Sequence, residues 1–384
     1  MRMQWLVTLG VCLLWQTGTR SQEPTGLGNW SAPDGALRPF WQGETMEGES
    51  VLFIQDAKSG ESIAHVLFPV REILAVRNSR GDVTYEEGRD YRWQAESRKL
   101  TVPPGSRIPI RTPEQLRRPA KSQRYELTHR DGNGEIFFGA ELEYAEMQTC
   151  ITYRHAPDLW KGERPAFDRR ALPNCIKQLE DGQSLRIVAL GDSITAGANA
   201  SGEFNAPPFQ PAYPELVRRG LAQRYQGDIQ LIDLAVGGTD TAWGITQVDK
   251  VVAAQPHLVL LAFGMNDSSN RTAADYHSNT RKITEAIRQQ LPQCEFILVA
   301  SMLGNRDWTR LKHDLFPQYR DALEQLCQPG LALADLTSTW LHFLELKLDW
   351  DLSGNGVNHP NDFGHRVYAQ TILSLLIPPT TRHK

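Results

Sequence analysis

Five short apolar runs, separated by helical periodicity and glycine-containing turns, constrain the C-terminal half of this chain more than any other feature. They are Arg186 to Leu190, Gln230 to Leu234, His257 to Phe263, Phe296 to Ala300 and Leu331 to Ala334. Their apolar residues are continuous rather than alternating, the pattern of a strand buried on both faces. Between the runs, Leu216, Leu221 and Tyr225 keep one helical face apolar, as do Tyr276, Ile283, Ile287 and Leu291. Strand and helix in that alternation predict an α/β domain over 183–378, built on a doubly wound, parallel, five-stranded sheet. Catalytic groups in such sheets collect at the carboxyl ends of the strands, so the residues after each run are where chemistry is sought.

The N-terminal half has a different texture. Val51 to Ile54, Ile73 to Val76, Tyr91 to Trp93, Leu100 to Val102, Glu135 to Phe138 and Leu142 to Tyr144 are short runs broken by turn residues such as Asn78-Ser79-Arg80-Gly81-Asp82 and Asp131-Gly132-Asn133-Gly134. This predicts an all-β sandwich or jelly-roll domain over 22–155, joined to the α/β domain by a linker over 156–182. The Arg-, Lys- and Pro-rich stretch from Arg107 to Arg124 reads as a solvated loop.

Ahead of that domain, Met1-Arg2-Met3, an apolar core from Trp5 to Trp15 and the small and polar residues through Thr19 form the three parts of an export signal, placed at 1–21. A secreted or periplasmic location follows as an expectation. Leu9-Gly10-Val11-Cys12 is a weaker lipobox reading, because the apolar core continues past Cys12. Beyond the N-terminus no apolar stretch approaches the length that spans a bilayer. In an oxidising compartment Cys150, Cys175, Cys294 and Cys327 allow three pairings, of which the local one, Cys150 with Cys175 and Cys294 with Cys327, is expected. No Cys/His spacing suggests a metal, and no cofactor motif is present. With 41 Lys+Arg against 45 Asp+Glu, the chain has no global basic field for nucleic acid.

Three strand ends and a block near the C-terminus carry the chemistry. The first run leads into Gly191-Asp192-Ser193-Ile194-Thr195-Ala196-Gly197, a turn that exposes a serine hydroxyl and its own N–H. The second leads into Val236-Gly237-Gly238-Thr239, able to present a bare amide, and the third into Gly264-Met265-Asn266-Asp267, which aims a side-chain amide at the same place. Near the C-terminus stands His359-Pro360-Asn361. Together and in this order, these blocks resemble the SGNH (GDSL) hydrolase family over roughly Leu185 to Leu376. The resemblance implies that Ser193 is a nucleophile and His359 its base, with the Ser193 N–H, the Gly238 N–H and the Asn266 amide as the oxyanion hole. A helix expected directly after Ser193 would add its positive end.

One block departs from the family pattern. The family places an aspartate three residues before the histidine, and here that residue is Gly356. Asp349 or Asp351, a backbone carbonyl, or no third member remain as substitutes. The motif-like Asp362-Phe363-Gly364-His365 is rejected, because His365 falls where the following helix begins. Trp243 and Trp308 are candidates for sugar stacking, although packing is the commoner role of a single tryptophan. Asn29, Asn199, Asn266 and Asn270 lie in glycosylation sequons. The connections Ala198 to Ala212 and Leu303 to His313 are expected as substrate loops on the catalytic face. The resulting expectation is a serine esterase acting on acetyl or other short acyl esters, with an acylated carbohydrate or small ester as its partner. A lipolytic esterase or thioesterase, or an inactive glycan-binding surface protein, are the alternatives.

Overall fold

A computed structural model describes residues 30–33 and 35–379. The export signal at 1–21, Cys12 and the Asn29 sequon lie outside the described residues.

Among the described residues, the N-terminal region holds ten strands: β1 (Thr45–Val51), β2 (Phe53–Gln55), β3 (Ser62–Val70), β4 (Glu72–Asn78), β5 (Arg92–Trp93), β6 (Ser97–Val102), β7 (Ile110–Arg111), β8 (Arg117–Arg118), β9 (Glu135–Ile136) and β10 (Thr149–Arg154). They form a three-stranded sheet β1-β10-β4, a five-stranded sheet β5-β6-β3-β2-β7 and the pair β8-β9. Pairing is antiparallel except between β2 and β7. The longest strand, β3, escapes the sequence pattern because Pro69 interrupts it. The structure seats Pro69 where the β3–β6 register breaks, between His65 and Val70, so its missing N–H costs no ladder bond. Leu142 to Tyr144, expected as a strand, is a turn instead. Glu141 takes a left-handed φ of 49°, and the chain then closes on itself through Glu146 N–H to the Leu142 carbonyl.

The C-terminal region runs α1 (Pro173–Glu180), β11 (Leu185–Gly191), α2 (Tyr213–Arg224), β12 (Ile229–Asp233), α3 (Thr241–Ile245), α4 (Val248–Ala253), β13 (Leu258–Ala262), α5 (Asp267–Asn270), α6 (Ala273–Gln290), β14 (Glu295–Ala300), α7 (Leu315–Glu324), β15 (Leu331–Asp335), α8 (Leu336–Leu346), α9 (Asp349–Leu352) and α10 (Asp362–Leu376). Its five strands pair in parallel in the order β12-β11-β13-β14-β15. The period of two explains why the runs are continuously apolar. Leu258, Leu260, Ile297 and Val299 face one buried layer, with α2, α8 and α10. Val188, Leu190, Val259, Leu261, Phe296 and Leu298 face the other, with α6 and α7.

The first layer is shared with the N-terminal region. Met46, Phe53, Phe68, Val70 and Tyr153 belong to the same buried cluster as Trp340, Phe343 and Val367. Within the stretch 156–182, Trp160, Leu172, Cys175, Ile176 and Leu179 join it. Polar bonds also cross between the regions. Lys347 and Glu49 pair at 2.5 Å with both side chains wholly buried, and the Tyr153 hydroxyl donates to Glu49 at 2.7 Å.

All four described cysteines are free, against the expected pairings. The thiols lie in separate parts of the fold: Cys150 in β10, Cys175 in α1 donating to the His257 carbonyl, Cys294 just ahead of β14, and Cys327 after α7 donating to the Leu323 carbonyl. Burial pushes Cys294 up to about 12 and Cys150 and Cys327 up to about 11, so they are poor thiolates near neutrality.

Candidate active site

The turn after β11 begins with a close approach. A Cβ on Gly191 would fall on the Ala262 carbonyl and the Thr195 side chain, so only glycine lets β11 leave the sheet this near to β13. The chain then turns through Ala196 N–H to the Asp192 carbonyl, Gly197 N–H to Ile194 and Ala198 N–H to Ser193. The helix expected directly after Ser193 does not form. Gly197 (φ 93°) and Asn199 (φ 65°) are left-handed and stop the turn at once, and the next α-helix begins only at Tyr213. The serine turn therefore supplies no helix macrodipole of its own.

Ser193 and His359 are brought together from 166 residues apart: Ser193 Oγ lies 2.9 Å from His359 Nε2, and both residues are buried. His359 stands on the loop between α9 and α10. That loop is shaped by Asn355, whose Oδ1 accepts from the amides of Val357 (2.8 Å), Asn358 (3.0 Å) and His359 (3.3 Å). Burial, and secondarily the nearby His365, hold the His359 imidazole down to about 3, so it is neutral near pH 7.

Among the described residues, no carboxylate contacts either nitrogen of this ring. Asp351 is spent on the interface with the N-terminal region, where its Oδ1 accepts from Leu52 N–H at 2.8 Å and its Oδ2 from Leu348 N–H at 3.1 Å. Asp349 pairs with Arg306 at 3.1 Å. Nor is the orienting group a backbone carbonyl. His359 Nδ1 faces two side-chain amides, Asn199 Oδ1 at 2.8 Å and Asn355 Nδ2 at 3.0 Å. The sequence reading noted Asn199 only as a sequon and did not single out Asn355. His365 lies apart from Ser193: its Nε2 meets the Ala198 carbonyl at 3.1 Å, and Asp362 accepts from Ser201 N–H.

The two other predicted turns are joined to the serine turn and to each other. Val236 N–H donates to the Gly191 carbonyl at 3.0 Å, Asn266 Nδ2 to the Thr239 carbonyl at 2.9 Å, and Thr241 Oγ1 to Asp267 Oδ1 at 2.5 Å. Arg271 adds an ion pair with Asp240 at 2.8 Å. The Asn266 nitrogen carries two protons, and the bond to Thr239 fixes the amide while leaving the second proton for another acceptor. Among the described residues, the Ser193 and Gly238 amides donate to no protein acceptor. Asp192, buried between Ser193 and the sheet, is pushed up to about 7 by that burial.

Trp243 packs edge-on against Phe263, and Trp308 packs with Leu127, Ile136 and Val357. Both rings pack on these neighbours and are half-buried. The Leu303 to His313 connection is tied to the β-region turn at 128–134 through Arg130 N–H to the Asp307 carbonyl and Thr309 N–H to the Thr128 carbonyl, while Arg306, Asp307, Thr309, Arg310 and Lys312 stay exposed. The start of the Ala198 to Ala212 connection is buried.

A neutral imidazole on a serine hydroxyl, at the carboxyl edge of a parallel sheet, is the arrangement used by serine hydrolases. Residues 189–367 match the model of the GDSL-like Lipase/Acylhydrolase family. No curated protein matches the chain. Among solved structures, it is similar to a two-domain esterase active on acetylated mannans (18% identity, 58% of this chain and 57% of that one, TM-score 0.43). It is also similar to the lipase/acylhydrolase from Enterococcus faecalis (23% identity, 49% and 93%, TM-score 0.39) and to an acetyl xylan esterase (20% identity, 50% and 100%, TM-score 0.40). The chain thus spans little more than half the length of the two-domain esterase.

Proposed function

We propose that the protein is an exported serine esterase that removes acetyl or similarly short acyl groups from carbohydrate through an acyl-enzyme at Ser193. The 2.9 Å contact between Ser193 Oγ and a buried, neutral His359 Nε2 carries the reading. In the first half-reaction Ser193 Oγ attacks the ester carbonyl and its proton passes to Nε2. The oxyanion is held by the Ser193 N–H, the Gly238 N–H and the second proton of the Asn266 amide. Collapse returns the proton to the departing sugar hydroxyl, and water repeats the sequence to release the acid. A short acyl group fits the surface chemistry. The exposed large apolar residues among those described are Leu74, Val236, Leu341 and Leu348, and only Val236 stands in a turn at the carboxyl edge of the sheet. Export rests on the N-terminal sequence pattern.

The test is acetate release from a panel of acetylated polysaccharides, with p-nitrophenyl esters of rising chain length alongside. Rates are expected to fall steeply beyond butyrate, and Ser193→Ala to abolish turnover while retaining the fold. A Ser193→Ala variant as active as the wild type overturns the mechanism, and a preference for octanoate or longer esters overturns the substrate class.

A further inference from the structure

We propose that Asn199 is the positioning residue for His359 in place of the absent carboxylate: its Oδ1 accepts the Nδ1 proton and holds the imidazole in the tautomer that leaves Nε2 free for the Ser193 hydroxyl. The inference deepens the esterase reading and rests on it for its catalytic meaning, but the geometry stands alone.

The orientation of the Asn199 amide is determined by its surroundings. Its Nδ2 lies 2.6 Å from the Glu141 carbonyl and 3.2 Å from the Gly354 carbonyl. Both are acceptors only, so the nitrogen must face them and Oδ1 must face the ring. One of these carbonyls comes from the N-terminal region and the other from the histidine loop, which makes the amide a product of the contact between the two regions. The asparagine is buried, and Oδ1 has no other donor among the described residues.

Asn355 competes for the same ring nitrogen. Its Oδ1 is held by three amides, so its Nδ2 faces Nδ1 and favours the opposite tautomer, in which Nε2 carries the proton. Two observations decide between them. The Asn199 contact is shorter, 2.8 against 3.0 Å, and the Asn355 nitrogen has a second partner in Asn358 Oδ1 at 3.1 Å, whereas Asn199 Oδ1 has only the ring. The reaction adds a third argument. Once Nε2 has taken the serine proton, both ring nitrogens are donors, and Asn199 is the acceptor the site offers to Nδ1. The proton on Nε2 then leaves with the sugar hydroxyl and the Nδ1 proton never moves, so no other proton donor or acceptor is required.

An amide accepts this proton without contributing negative charge. The imidazolium is therefore oriented but little stabilised, which agrees with the low basicity of the buried ring. Among the described residues, the other titratable group that perturbs the ring is His365 of α10, itself neutral near pH 7 because burial lowers it to about 4.

Nitrogen-15 NMR of the histidine rings in the full chain at pH 7 tests this without a variant. His359 is expected to carry its proton on Nδ1, and a proton on Nε2 overturns the proposal in favour of Asn355. In Asn199→Ala the Nε2-protonated form should become populated, and kcat for p-nitrophenyl acetate should fall about 10² to 10⁴-fold, the scale seen when a serine-protease histidine is held in the wrong tautomer. KM should stay within about twofold, because Asn199 does not touch substrate. An Asn199→Ala chain with an unchanged ring tautomer and unchanged kcat overturns the proposal. Asn199→Asp supplies the missing charge and should move the acid limb of kcat/KM to higher pH, while a limb that stays in place counts against Asn199 as the ring's partner. If the tautomer is as expected but the wild type hydrolyses no ester, the esterase reading fails and the positioning of the ring stands.

Discussion

Restoring the family's aspartate by Gly356→Asp should damage this protein rather than improve it. Gly356 sits at φ 84°, a left-handed backbone that costs a non-glycine residue about 1 to 2 kcal/mol. Space is the larger obstacle. A Cβ at this position would fall on the Phe137 carbonyl and within 2.6 Å of the Tyr144 ring, both contributed by the N-terminal region. Crowding of that kind costs about 1 to 3 kcal/mol, and the stiffer unfolded chain returns only about 0.4 to 1 kcal/mol. Gly356→Ala should therefore lose about 1 to 5 kcal/mol, and Gly356→Asp more, because its carboxylate enters a buried site already closed by a carbonyl. Urea denaturation of the full chain reads this as a lower midpoint at unchanged slope. Turnover of p-nitrophenyl acetate by the folded fraction should fall as well, since displacing Tyr144 and Phe137 disturbs the segment whose Glu141 carbonyl holds Asn199. A Gly356→Asp chain as stable as the wild type, with a higher kcat, would refute both the steric argument and the claim that Nδ1 is already served.

Two further outcomes follow from buried charge. A base must be neutral to accept the Ser193 proton, so activity is full above the folded-state value of His359, near 3, and is lost as pH falls through it. The acid limb of kcat/KM should lie far below 6.5, and a limb centred near 6.5 that persists in Asp192→Asn would show that the ring is not desolvated as described. Asp192, raised to about 7, is the neighbour whose ionisation that control removes. Lys347→Met strands Glu49 as a buried, unpaired carboxylate and should cost about 3 to 5 kcal/mol in urea denaturation. Glu49→Gln combined with Lys347→Met should recover part of that loss, and a single variant within about 0.5 kcal/mol of the wild type would show that water reaches the pair.

The parallel sheet was legible because burial on both faces leaves a strand no choice of pattern. β11 to β15 fall within a residue or two of the apolar runs, whereas two-residue strands such as β7 and β8 have too few positions to show a period. β3 hid behind Pro69, and Leu142 to Tyr144 misled because alternation survives in a turn that Glu141 begins with a left-handed residue. At the site, Ser193 and His359 were readable because each stands in a short local sequence block, and the absent helix after Ser193 had one local warning in Gly197. Asn199 had no such signal. It meets His359 from 160 residues away, and its surroundings spell only an ordinary Asn-Ala-Ser.

That difference follows from how the two halves close on each other. Phe137 and Tyr144 fill the space beside Gly356, Gly139 N–H donates to the Asn355 carbonyl at 3.1 Å, and Glu141 holds Asn199. Three neighbouring stretches of the N-terminal region thus displace the usual acid, brace the histidine loop and orient the amide that stands on the ring. The same segment removes one orienting group and installs the other. A chain cut to the α/β half alone would keep Ser193, Gly238, Asn266 and His359 in sequence, yet lose the carbonyl that points Asn199 at the imidazole. The N-terminal region is in this sense part of the site, although the hydrogen bond of the Ser193 hydroxyl is to His359 of the α/β half.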